Sequence, residues 1–238
     1  MKLLDYLLTQ GYQSEKAQKL IRAGQVYVNH QVEIWPGQAI KESDQIDVKL
    51  RSRWVSRGAE KLSGVLSTWK IDFQGKNVLD VGASAGGFTQ VALEQGAKHV
   101  WALDVGTNQL DYLIRQDARV SVLEKKNAKN LDPSWFKEKV DIVTCDLSFI
   151  SLTKVFGPIR KILNPGGILI ALVKPQFEAQ RDQVERGGIV PEHFHQEIVN
   201  KVLDQAQKVG FKKRAVLPST LPGKKAGNTE YFAWLEVS

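Results

Sequence analysis

Four charged residues stand where apolar runs stop or start: Lys61 in SRGAEKL, Asp146 after VDIVTC, Lys174 after GILIALV, and Glu230 just ahead of YFAWLEV. Three of them fall at the ends of strand-like runs, where a carboxylate or ammonium is costly to bury unless it is paired. Their recurrence implies one polar cluster at the edge of a sheet; separate, solvated strand ends are the alternative. Two lysines and two carboxylates in one place can align a nucleophile or handle its proton. A lysine near its ordinary pKa of about 10.4 is protonated at neutral pH, so it takes a proton only where desolvation or a neighbouring cation lowers that value.

A second candidate site lies in VLDVGASAGGFTQVAL, where a strand ends at Asp80 and a glycine-rich turn leads into a helix. Gly82 allows close backbone approach, and Gly86 and Gly87 allow tight packing of strand on helix. Amides exposed at the helix start, around Ser84 to Phe88, suit a carboxylate. The run G-A-S-A-G-G departs from the dinucleotide fingerprint. Asp104 closes the next strand about 22 residues beyond Gly82, where such folds place the acid that bonds ribose hydroxyls. Asn127, after the third strand, is placed either beside a bound base or as a turn cap.

These residues need a scaffold. From Asn77 onward, short apolar strands (NVLDV, HVWALDV, VSVLE, VDIVTCD, GILIALVK, RAVLP, TEYFAWLEV) alternate with helical stretches, the pattern of a parallel sheet covered on both faces. The helices are expected at Gly87 to Gln95, near Leu110, at Pro133 to Lys137, Ser151 to Leu163 and Pro191 to Val209. The last two strands are separated only by STLPGKKAGN and read as an antiparallel hairpin. Ahead of this domain, Leu3, Leu4, Leu7 and Leu8 have helical spacing up to Gly11, and Ser14 caps a second helix that stops at Gly24. Short strands follow in VYVNH and in QIDVKL through Leu50. The expected boundaries are a small α+β domain over 1–50, a linker over 51–59 and the large domain over 60–238.

The phrase SEKAQKLIRAGQVYVNHQ resembles the RNA-binding module of the ribosomal protein S-four type, and the resemblance implies that Lys16, Lys19 and Arg22, with Asn29 and His30, face RNA. A parallel sheet closed by a hairpin resembles the Rossmann-like methyltransferases rather than nicotinamide dehydrogenases. The stretches SRGAEKL, DVGASAGGF, TCDLSFISL, LVKPQFE and GNTEYF resemble the FtsJ-type RNA 2′-O-methyltransferases, and more narrowly the TlyA family of ribosomal RNA methyltransferases, historically called hemolysins. The resemblance covers nearly the whole chain. It implies a seven-stranded Rossmann-like fold and S-adenosylmethionine as cofactor, bound by Asp80, Gly82, Ser84, Gly86, Gly87, Phe88, Asp104 and Asn127. It also implies a catalytic tetrad of Lys61, Asp146, Lys174 and Glu230, and as substrate a ribose 2′-hydroxyl, of cytidine, in ribosomal RNA or a ribosomal subunit. In that reading Lys174 is the candidate base or an aligning group, and Glu230 holds Lys61.

Composition agrees with a nucleic-acid partner: 33 Lys and Arg against 26 Asp and Glu give a net charge of +7. No apolar run approaches the roughly 20 residues that span a bilayer, and the opening stretch carries Asp5 and no small-residue cleavage site, so a cytoplasmic protein is expected. With Cys145 as its single cysteine and four scattered histidines, the chain offers no zinc-ligand spacing and no metal is expected. His193 and His195 point to different faces of a helix and are assigned no chemistry. FEAQRDQVERGGIV lacks a hydrophobic period and reads as a long mobile loop, in which Arg181 and Arg186 grip RNA phosphates or are simply solvated. Two other functions compete, a non-catalytic RNA-binding assembly factor and a membrane-lytic protein.

Overall fold

In the computed structural model, which describes residues 1–49, 53–223 and 227–238, the chain divides into two compact units, Met1–Arg53 and Trp54–Ser238. The end of the second expected strand of the small domain at Leu50, the linker residues Arg51 and Ser52, and the adjacent Lys224 and Lys225 lie outside the described residues.

The small unit runs α1 (Leu3–Thr9), α2 (Ser14–Arg22), β1 (Val26–Val28), β2 (Gln31–Glu33) and β3 (Ile46–Val48), with the strands in the antiparallel order β2-β1-β3. Leu3, Leu7, Ala17, Leu20, Ile21, Val26 and Ile40 form its core, so one face of each helix is committed to packing. Gln13, not Ser14, occupies the cap position of α2, and Ser14 is the first helical residue with no capping bond from its side chain. Asn29 and His30 both have positive φ (50° and 68°) and form the two-residue turn between β1 and β2, a geometry asparagine tolerates well. The Asn29 amide is engaged within the unit, donating to Asp44 Oδ1 and accepting from the Gln45 amide.

The large unit opens with α3 (Arg57–Trp69), which begins inside the stretch expected to be linker. Ala59, Leu62, Val65 and Leu66 form its buried stripe, packed with Val78, Phe88 and Val91. Trp54 packs against the same core. The sheet then builds from β4 (Asn77–Val81), β5 (His99–Leu103), β6 (Val120–Leu123), β7 (Val140–Cys145), β8 (Leu163–Val173), β9 (Phe211–Pro218) and β10 (Tyr231–Val237), in spatial order β6-β5-β4-β7-β8-β10-β9. Strands β4 to β8 are parallel, and β10 is antiparallel to both β8 and β9, so the expected hairpin closes the sheet. The intervening helices are α4 (Gly87–Glu94), α5 (Tyr112–Arg115), α6 (Phe156–Ile162), α7 (Pro175–Glu178) and α8 (Glu192–Lys208). The expected helices at Pro133 and Ser151 open as single 3-10 turns, Pro133–Trp135 and Leu152–Lys154. Two apolar layers sandwich the sheet, one around Leu79, Val143, Phe156 and Phe211, the other around Val78, Phe88, Ile170 and Phe232. Among the described residues, no helix is long and apolar enough to cross a membrane.

The stretch 176–190 departs from the long mobile loop expected from Phe177 to Val190. After α7 it makes a 3-10 turn, Arg181–Gln183, in which the Gln183 side chain accepts from the amide of Gln180, the residue just before the turn, and it buries Gln183 and Val190. Its order comes from polar side chains bonding to backbone, which leaves no hydrophobic period to read.

Candidate active site

The register of the sheet brings the four charged residues together. Val173 faces Tyr231 across β8 and β10, so Lys174 and Glu230 are the next residues on adjoining strands. Cys145 ends β7 beside Ala171, which sets Asp146 at the same carboxyl edge. There the residues form two ion pairs. Lys61, presented by the first turns of α3, contacts Glu230 Oε2 at 2.5 Å, and both groups are buried, at 8% and 3% exposure. Lys174 contacts Asp146 Oδ1 and donates to Ser148 Oγ at 3.2 Å.

A cleft of about 480 Å³ opens beside Asp146, lined by the glycine-rich turn, the end of β5 and the segments after β6 and β7. Of the residues expected to hold a cofactor, Gly82, Ser84, Asp104 and Asn127 line it. Gly82 is required there twice over: its φ is +83°, and a Cβ would lie 2.3 Å from the Asp146 carbonyl oxygen. Asp104 is held rigidly, with Oδ2 accepting from the Ser84 amide at 2.9 Å and Oδ1 from the Gly106 amide at 2.8 Å. Each oxygen keeps a lone pair for a hydroxyl donor. Asn127 caps the turn at Lys129 and lines the cleft.

The other four sit behind the cleft wall. Asp80 is 1% exposed, and its oxygens accept from Thr89 Oγ1 at 2.7 Å and Thr144 Oγ1 at 3.0 Å. It ties α4 to β7 beneath the turn rather than reaching a ligand. Burial pushes its carboxyl up to about 6, against the opposing pull of the two threonine hydroxyls. Gly86 packs under Leu110 and Ile114, and Gly87 lets α4 meet α3 so closely that a Cβ would lie 2.8 Å from the Ala59 amide nitrogen. Phe88 is buried against Phe232. Their distance from the cleft follows from the tight packing that the glycines permit.

The sequence reading missed Ser148 and Phe149, two and three residues past Asp146, which line the cleft; Ser148 receives the Lys174 hydrogen bond. The signal available was their place directly after a strand-end acid. Phe149, at φ 65° and 84% exposed, is an apolar side chain set in solvent by a strained backbone, and no propensity predicts that. Asn228 and His195, both buried, were also passed over; apart from the Val190 carbonyl five residues before His195, their partners lie 36 to 40 residues away in sequence. Cys145 is fully buried, and burial pushes its thiol well above the usual range, consistent with a packing role. Glu178, half-buried and raised by burial, accepts from Ser151 Oγ and the Leu152 amide and fastens α7 to the segment after β7.

The basic residues expected on RNA are exposed. Lys16, Lys19 and Arg22 lie on α2, with Lys19 paired to Glu15 one turn away, and Arg181 and Arg186 lie on the 176–190 stretch.

In comparison with known families, residues 54–237 match the FtsJ-like methyltransferases and residues 1–46 the S4 domain. The chain is 42% identical over 226 residues to the 16S/23S rRNA (cytidine-2'-O)-methyltransferase TlyA of Mycobacterium tuberculosis, covering 94% of this chain and 84% of that protein. It is 40% identical over 237 residues to Hemolysin A of Brachyspira hyodysenteriae, covering 98% of each. A solved structure from Streptococcus thermophilus, also named a hemolysin, aligns with a TM-score of 0.77 at 36% identity over 100% of this chain and 88% of that one. With the paired strand-end charges, the glycine-rich cleft and the hairpin-closed sheet, these likenesses place the chain in the TlyA family, an FtsJ-like methyltransferase domain preceded by an S4 domain.

Proposed function

We propose that the chain methylates the 2′-hydroxyl of a cytidine ribose in ribosomal RNA, with S-adenosylmethionine as methyl donor. One observation carries the reading: Asp146 lines the cleft and is at the same time the partner of Lys174, so the cofactor cleft and the charged cluster share a wall.

The cleft suits the cofactor. Its volume falls within the roughly 300–1,000 Å³ usual for ligand sites, Leu103, Val105 and Ile150 give it apolar walls, and Asp104 offers fixed acceptors for ribose hydroxyls. Gly82, Ser84, Asp104 and Asn127 are the residues proposed to hold it. When bound, S-adenosylmethionine supplies an electrophilic methyl group on a sulfonium.

The chain's own residues handle the nucleophile. The Lys174 ammonium has three N–H donors, two of which are taken by Asp146 and Ser148. The third is free to hold the 2′-oxygen, while Asp146 offers an acceptor to the hydroxyl proton. Held so, the oxygen would lie in line with the methyl group and take it up as the neutral thioether leaves, the proton going late to solvent; proton transfer to a neutral Lys174 is the other route, and a pH–rate profile separates the two. Glu230 locks Lys61 beneath this edge. Lys16, Lys19 and Arg22 on the S4 domain, with Arg181 and Arg186, are proposed to contact phosphates and so set register without reading sequence.

Mapping 2′-O-methyl groups in ribosomal RNA from cells with and without the gene tests the proposal. Loss of a methylcytidine when the gene is absent, restored by the wild-type gene but not by K174A, supports it. Identical maps contradict it.

A further inference from the structure

The catalytic reading leaves a buried polar group unexplained. His195, on α8, and Asn228, ahead of β10, are each 4% exposed, and both close on one residue, Val190. The Val190 amide donates to Asn228 Oδ1 at 2.9 Å, and the Val190 carbonyl lies 2.8 Å from His195 Nε2. Asn228 Nδ2 also donates to the Gly188 carbonyl at 2.8 Å. The far side of the imidazole, Nδ1, lies 3.0 Å from the Tyr231 hydroxyl, with the two rings edge to face. A carbonyl only accepts, so Nε2 carries the hydrogen; in the neutral ring Nδ1 then accepts from the tyrosine.

Asn228 and Tyr231 bracket Glu230, and the Glu230 carbonyl accepts from the Ser219 amide at 2.7 Å. The backbone that aims the Glu230 carboxylate at Lys61 is therefore tied to the end of the 176–190 stretch on both sides, directly through Asn228 and through His195 by way of Tyr231. That stretch carries Arg186 in a turn closed by the Glu185 amide donating to the Ile189 carbonyl. Both polar groups of one backbone residue are clamped, from α8 by His195 and from the segment just ahead of Glu230 by Asn228.

We infer that His195, Asn228 and Tyr231 are positioning residues for the Lys61–Glu230 pair, forming a clasp that fastens the Arg186 turn to the catalytic edge. The inference rests on the proposed function, in which Glu230 holds Lys61 beneath the catalytic edge.

The test is tritiated methyl transfer by the full-length chain to ribosomal subunits from a strain lacking the gene, with E230Q as reference. H195L removes both bonds of the ring and is expected to lower kcat about tenfold or more, with KM for cofactor and subunit within about twofold of wild type. H195Q keeps a donor for the Val190 carbonyl and should return kcat to within about threefold of wild type. Y231F removes only a hydroxyl and decides the matter if H195L fails to fold: kcat falls about threefold with an unchanged melting temperature. Inactive E230Q alongside wild-type kcat in H195L and Y231F overturns the clasp, as does H195Q as defective as H195L, which would mark plain packing damage. Normal turnover by E230Q overturns the catalytic reading itself.

Discussion

The two ion pairs at the carboxyl edge have the same chemistry and equally buried lysines, and they differ in the exposure of the carboxylate. Lys61–Glu230 is closed off, its side chains 10% and 4% exposed, whereas in Lys174–Asp146 the carboxylate side chain is 23% exposed and forms part of the cleft wall. A buried pair fixes geometry, and removing one partner strands a charge. A pair on a cleft wall can exchange one partner for a substrate group. In the proposed function the first pair therefore holds the edge in shape, and the second works on the hydroxyl.

The largest effect should come from the open pair. K174A is expected to lower methyl transfer about 10³-fold while leaving cofactor binding by calorimetry and the melting temperature near wild type. A variant that instead lost its fold would erase the contrast between the pairs.

The closed pair should respond in the opposite currency, stability. K61M leaves Glu230 buried and unpaired, at a cost of about 3–5 kcal/mol, which for a chain of this size lowers the melting temperature by about 10 °C. The double variant K61M/E230M replaces the pair with apolar side chains of similar volume and should recover much of that loss without recovering turnover. Equal melting temperatures for K61M and K174A would dissolve the distinction.

Asp80 shows what the same depth does to a carboxylate whose partners are hydroxyls instead of an ammonium. Its carboxyl stands at about 6 in the folded protein, against 3.8 ordinarily, because burial disfavours the charge. The folded state then binds the proton more tightly than the unfolded state. Stability contributed by this residue is highest below about pH 4 and falls as pH rises to about 6, by on the order of 3 kcal/mol. In urea unfolding, D80N should lose that slope, so the gap between variant and wild type changes across pH 4 to 6; parallel curves would refute it.

Asp104 is the matching control for Asp146, a cleft-wall carboxylate held by amides. D104A removes two acceptors and is expected to weaken cofactor affinity about 10- to 100-fold, with little change in the turnover of the saturated enzyme. A change in saturated turnover with unaltered affinity would assign Asp104 to the reaction.

How much of this was legible depended on whether the signal was local. Asp146, Lys174 and Glu230 announce themselves because each interrupts an apolar run, and the sheet's parallel order and closing hairpin follow from strand spacing. The glycine-rich turn was legible as a turn, but not which of its residues face the cleft, since that depends on Gly87 packing against Ala59 and Gly82 against Asp146. Helix α3 was obscured by Gly58 and Gly64, which weaken helical propensity, and by the lack of a capping bond from Ser56. Its stripe of Ala59, Leu62, Val65 and Leu66 was nonetheless there to be counted. The 176–190 stretch was unreadable for a different reason: its order rests largely on Asn228, which reaches Gly188 and Val190 from about 40 residues away and is brought there only by the finished fold.

The central claim, that Asp146 and Lys174 act on the substrate as one unit, is tested most directly by a double-mutant cycle on methyl-transfer turnover using D146A, K174A and the double variant. The account predicts that the double variant is scarcely worse than the poorer single one, because either change disables the same unit. Losses that multiply would show two independent groups and contradict it.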